Sequence, residues 1–246
     1  MAKKKASDTA GDALRELEES GDRMAEWASQ NAALILGAIA IVLVIAAGVG
    51  LYLQHSSTAR DEAADALAST TNSYRVAMGA DVAGGRIPEP ANPELATRTR
   101  SEYAEKFSEL ARTHAGTAAG AVAWLEAGKL QAELGKLEHA TVSFEAARDA
   151  AVGQAIAAIA SNRLAELAED RGDPAAAAKA YEAAAAVEAY PLRGDALTEA
   201  ARCWAEAGEK DRALAVYQRF ETEFPDELAA PQIAALIAEM RLASNP

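Results

Sequence analysis

The sequence predicts an all-α protein: an apolar transmembrane helix near the amino terminus, then an α-solenoid of stacked helical pairs. Three observations carry that prediction. Half of the residues are apolar yet only 5% are aromatic, and alanine, the best helix former, supplies much of the apolar share. No sustained alternation of apolar and polar residues rich in Val, Ile and Thr is present, so strands have no support. Glycine, alanine and aromatic residues recur every 36 or 37 positions in the second half of the chain, the mark of stacked supersecondary units.

Residues 1–31 form the first segment. Leu14, Leu17, Met24 and Trp27 recur at spacings of three and seven with acids between them, which predicts a short amphipathic helix capped by Ser7 or Asp8. Residues 32–53, "AALILGAIAIVLVIAAGVGLYL", contain no charge, proline or strongly polar side chain. As a helix they span about 33 Å, enough for a hydrocarbon core of about 30 Å. A cleaved export signal has a shorter apolar region directly after a basic start, whereas some thirty residues precede this one. The stretch is expected to be an uncleaved anchor.

Its orientation follows from nearby basic residues. Lys3, Lys4, Lys5, Arg15 and Arg23 lie on the amino side, against Arg60 and Arg75 within similar reach on the other. The amino terminus is expected in the cytoplasm and the carboxy-terminal part outside. Trp27 and Tyr52 stand near the two ends, where amphipathic rings anchor at the interfaces.

Residues 54–90 read as a helix continuing out of the membrane, "SSTARDEAADALASTTNSYRVAMGA", and the start of a Gly/Pro-rich loop, "DVAGGRIPEPANPE". Residues 91–246 hold the repeat. Gly135, Gly172 and Gly208 are each followed after five residues by Ala140, Ala177 and Ala213, then after four by Phe144, Tyr181 and Tyr217, and after three more by Ala147, Ala184 and Phe220. The glycine ends one helix in a left-handed conformation that needs no Cβ. Residues such as Gly172-Asp173-Pro174 turn the chain and put proline in the first turn of the next helix. The alanine lets paired helices approach, and the aromatic fills the gap to the following pair.

These units resemble tetratricopeptide repeats, with small residues also at Gly128, Ala165 and Ala201 and a closing Pro225 in "YQRFETEFP". Their period is slightly longer than the usual thirty-four, so lengthened turns between helices are expected. Phe107, 37 residues before Phe144, extends the series backwards, making "LATRTRSEYAEKFSELARTHAG" the second helix of a degenerate first unit. About three and a half units result, closed by a capping helix within "DELAAPQIAALIAEMRLASNP".

Little points to catalysis, a metal or a cofactor. His55, His114 and His139 are scattered without metal-ligand spacing, and neither a phosphate-binding glycine loop nor a G-x-S-x-G elbow occurs. Cys203 is the only cysteine, within "EAARCWAEAG", so no intramolecular disulfide forms and a small buried thiol is expected. The net charge of −13 is concentrated after Leu53, where thirty acidic side chains meet nineteen basic ones. A field of that sign repels nucleic-acid phosphates and anionic head groups.

The first helix of each tetratricopeptide unit lines a groove. The resemblance therefore implies a peptide-contacting set of Lys129 from the first full unit, Asn162, Arg163 and Glu166 from the second, and Arg202 from the third. Against this stands ordinary pairing along one helix, such as Arg163 with Glu166. The whole arrangement is also similar to the bacterial ancillary SecYEG translocon subunits, the YfgM-type family, notably around "WASQNAALILGAIAIVLVIAAGVGLYLQHSSTARDEA". That resemblance implies a non-catalytic adaptor of the inner membrane. Its repeats would face the periplasm and meet translocon subunits, exported chains or periplasmic chaperones. A general envelope scaffold for wall or outer-membrane assembly proteins shares the same sequence features.

Overall fold

Among the residues that the computed structural model describes, 57–80, 87, 90 and 92–243, every regular element is a helix. The chain divides into two units, Met1–Ser57 and Thr58–Pro246. The amphipathic segment and the apolar stretch 32–53 belong to the first and lie outside the described residues. No described helix is long and apolar enough to cross a membrane.

The described helices are α1 over 57–77, α2 Pro93–Thr113, α3 Ala118–Glu133, α4 Leu137–Ala150, α5 Ala155–Asp170, α6 Pro174–Ala185, α7 Arg193–Glu206, α8 Lys210–Glu223 and α9 Pro231–Leu242. The loop expected through Glu94 ends two residues earlier. Asn92 Oδ1 accepts from the backbone N–H groups of Glu94 and Leu95 at 3.0 and 3.2 Å. With Pro93 in the first turn, the "NPE" triplet starts a helix instead of closing a loop.

Three helical pairs follow: α3/α4, α5/α6 and α7/α8. Each turns on the predicted glycine, Gly135, Gly172 or Gly208, at φ of +71°, +72° and +79°. The residue after each glycine donates its N–H five residues back, Lys136 to Gln131, Asp173 to Ala168 and Glu209 to Trp204, all at 2.9 Å. This is the Schellman closure, and it makes every turn within a pair the same three residues. The lengthening expected between helices therefore falls elsewhere, in the links 151–154 and 186–192 between pairs, where no such closure sets the residue count.

The repeat positions build the core. Ala140, Ala177 and Ala213 are fully buried, and Phe144, Tyr181 and Tyr217 nearly so. Phe107 of α2 is buried against Tyr74 of α1, centroids 6.4 Å apart, and Tyr74 also meets Tyr103 at 5.3 Å. Thus α1 and α2 pack as the degenerate first unit. At the far end Ile233 and Ile237 of α9 are buried in the same core as Tyr217 and Phe220, so α9 covers the apolar edge of the last pair, as a terminal cap must.

Candidate protein-binding face

The first helices α3, α5 and α7 carry the five residues named from sequence. Position for position, they present Glu126/Lys129, Arg163/Glu166 and Glu199/Arg202, each pair three residues apart on one helix, with N···O separations of 4.0, 2.6 and 2.6 Å. The order of charge reverses from each unit to the next.

Two clefts open on this face. One of about 270 Å³ is bordered by Lys129, Glu133, Phe144, Arg163, Glu166 and Asp170. The other, of about 450 Å³, is lined by Ile159, Asn162, Arg163, Tyr190, Pro191 and Leu192. Arg163 borders both. Its Nη1 donates to Glu166 Oε2 at 2.6 Å, while Asn162 Nδ2 donates to the other oxygen of that carboxylate at 3.0 Å. Glu166 thereby orients both donors along the rim. Lys129, 53% exposed and 4.0 Å from Glu126, is the loosest cation of the group and the most open to a visiting carboxylate.

Lys129, Asn162, Arg163 and Glu166 are thus brought together around two adjoining clefts. Arg202 is not. Its guanidinium donates to Glu199 and Glu206 of its own helix at 2.6 and 2.7 Å, and to Glu169 of α5. Burial works against its charge, but the three carboxylates prevail and hold it firmly protonated. Cys203 is fully buried beside it and donates its S–H to Glu169 Oε1 at 2.8 Å. Burial first, and that hydrogen bond second, push the thiol well above the usual range. Arg202 therefore ties α7 to α5, its charge already answered by three carboxylates.

Reading the sequence missed the apolar cup. Ile159 and Leu192 are 40% and 51% exposed, and Tyr190 and Pro191 come from the link between α6 and α7. The one available signal was the short apolar run "YPL" inside that link, which a repeat-to-repeat alignment passes over. Among the described residues no group of three His, Cys, Asp or Glu side chains is placed to hold a metal ion.

A family described as the tetratricopeptide repeat-like domain matches residues 25–220. The match begins ahead of the apolar stretch and runs into α8, the last helix of the third pair. No match is found among the curated proteins.

Proposed function

Since the chain belongs to the tetratricopeptide repeat-like domain family, whose repeats serve protein interaction, we propose that it is a non-catalytic, membrane-anchored adaptor that binds protein segments on the face formed by α3, α5 and α7. One observation carries this reading: an apolar cup and a charged cleft lie side by side and share Arg163. A bound segment buries one apolar side chain against Ile159, Tyr190 and Leu192, which supplies affinity. Lys129, Arg163 and Glu166 then sort its neighbours by charge, which supplies register.

In this reading residues 32–53 hold the chain in the bacterial inner membrane, with the amino terminus in the cytoplasm and the repeats in the periplasm. Support comes from the uncharged run itself, from the excess of lysine and arginine ahead of it, and from a family match that includes the run. Anchoring confines the repeats near membrane-embedded partners and raises their effective concentration there. The resemblance to the YfgM-type proteins favours the export translocon as the place, with exported chains or periplasmic chaperones as ligands.

Crosslinking in intact membranes, followed by detergent purification and mass spectrometry, tests the proposal. Recovery of translocon subunits with periplasmic chaperones supports the adaptor. Wall or outer-membrane assembly proteins in their place would move the chain to a general envelope scaffold.

A further inference from the structure

Trp204 of α7 fills a niche between the second helices of neighbouring pairs. It is 3% exposed, its indole Nε1 donates to Glu182 Oε1 of α6 at 2.6 Å, and the guanidinium of Arg212 of α8 lies 4.7 Å from its ring centroid. The niche thus has an acceptor on one wall, a cation over the ring and an apolar body between them.

Counting back two units along the repeat, Glu182, Trp204 and Arg212 become Ser108, Gln131 and His139. These three residues, on α2, α3 and α4, line one open cleft of about 480 Å³, together with Arg112, Trp124 and Val142. It is the same niche without its tryptophan. Gln131 does not replace the ring, because its Oε1 accepts a hydrogen bond from Ser143 Oγ at 2.7 Å.

In the open niche Ser108 stands where Glu182 does and His139 where Arg212 does, while the cation comes from Arg112, and the carboxylates of Glu105 and Glu138 also border the cleft. Ser108 Oγ gives its proton to Ala104 O at 2.8 Å and keeps lone-pair capacity for an outside donor. The Arg112 guanidinium, ion-paired to Glu109 at 3.0 Å and to Glu105 at 3.8 Å, lies 5.9 Å from the Trp124 ring and supplies a cation beside an aromatic surface. Arg212, paired to Glu209 at 3.8 Å, does the same for Trp204. Val142, 63% exposed, leaves apolar area uncovered at the mouth.

We propose that this cleft is a docking site for a tryptophan or tyrosine side chain of a partner protein, whose ring takes the place that Trp204 occupies two units later. An aromatic ring with an N–H or O–H at its edge answers all three features at once. An aliphatic side chain fills volume but offers no ring face to the guanidinium and no donor to Ser108. The site lies on different residues from the α3/α5/α7 face and stands independently of it.

The test uses the full chain in detergent micelles and a pentapeptide, acetyl-Ala-Ala-(5-fluorotryptophan)-Ala-Ala-amide, followed by fluorine NMR. The expected result is a saturable shift that the leucine analogue of the peptide does not compete away. Gln131→Trp supplies the missing ring internally and should weaken the peptide at least about tenfold. Val142→Glu, a change at an exposed position, should do the same without disturbing the fold, and it decides the matter if the first variant is misfolded by circular dichroism. No saturable shift with the unaltered chain, equal affinity in both folded variants, or equal competition by the leucine peptide would each overturn the proposal.

Discussion

Gly128 lies against the ring of Phe144, so closely that a Cβ added to residue 128 would stand 2.6 Å from Cε1 of that ring. The first and second helices of this pair touch backbone to ring, with Phe144 itself only 2% exposed. Ala165 and Ala201 hold the same position in the next two units and are fully buried, so those pairs leave room for one methyl group.

Gly128→Ala is accordingly expected to destabilise the chain although alanine is the better helix former. Overpacking costs about 1–3 kcal/mol, against a propensity gain of about 1 kcal/mol. A net loss of up to about 2 kcal/mol should appear in urea unfolding followed by circular dichroism. Adding Phe144→Leu should return part of it, because the smaller side chain vacates the space of the clash. A neutral or stabilised single variant would mean that the ring moves aside at little cost.

The binding face makes a different prediction. Ile159 and Leu192 are partly exposed and line the cup, so Ile159→Glu and Leu192→Glu should leave the melting temperature within a few degrees of its original value. Each should sharply reduce crosslinking to protein partners. Unchanged partner recovery from both variants would place binding elsewhere on the chain.

Cys203 should behave as a buried, neutral thiol. Its native labelling by a thiol reagent at neutral pH is expected to follow the rate of local opening, far below that of the unfolded chain. The pH dependence has a definite sign. The folded state keeps a proton that the unfolded state releases above about pH 8.5, so folding stability falls as pH rises past that value. Cys203→Ala should flatten this slope between about pH 8 and 9, which denaturation midpoints across that range would reveal. The loss set by the buried Tyr181 and Tyr74 hydroxyls, also pushed up by burial, remains at higher pH.

Glu223 predicts the opposite slope. Arg219 Nε donates to it at 2.5 Å and Arg193 Nη2 at 2.9 Å, and the hydrogen bond from Arg219 leads in holding its carboxyl below the usual range. Its stabilising contribution is present above the unfolded-state pKa and is lost as pH falls through the folded one. Glu223→Gln should therefore weaken the chain near neutrality, and its deficit should vanish in acid. Arg193 also donates to Ala185 O at 2.8 Å, so the same arginine joins the end of α6 to the end of α8.

Much of the fold was legible in the chain because its cues act over a few residues. Gly135, Gly172 and Gly208 need only their own turn to take positive φ, and Asp173 with Pro174 needs only the next helix to start it. The binding face was legible in part. Asn162, Arg163 and Glu166 share one helix and meet as their spacing requires. Arg202 shows the same local spacing to Glu199 and Glu206, but Glu169, 33 residues away, closes the cluster around it. Nothing in the local sequence separates an arginine turned to solvent from one held by a neighbouring repeat.

By itself the sequence determined an all-helical chain of glycine-closed pairs at a period of 36–37 residues, and it marked an uncharged stretch long enough for an anchor. These properties follow from backbone conformation and apolar spacing, which each segment carries with it. Only the tertiary structure decided which polar side chains are engaged, that the link bearing Tyr190 and Leu192 forms a cup with Ile159, and that one niche is filled by Trp204 while its counterpart at Gln131 stands open. Those outcomes depend on which helices become neighbours, and the side chains that complete each site arrive from other helices, 22 residues away for Glu182 and Trp204 and 33 for Glu169 and Arg202, beyond the reach of any local pattern.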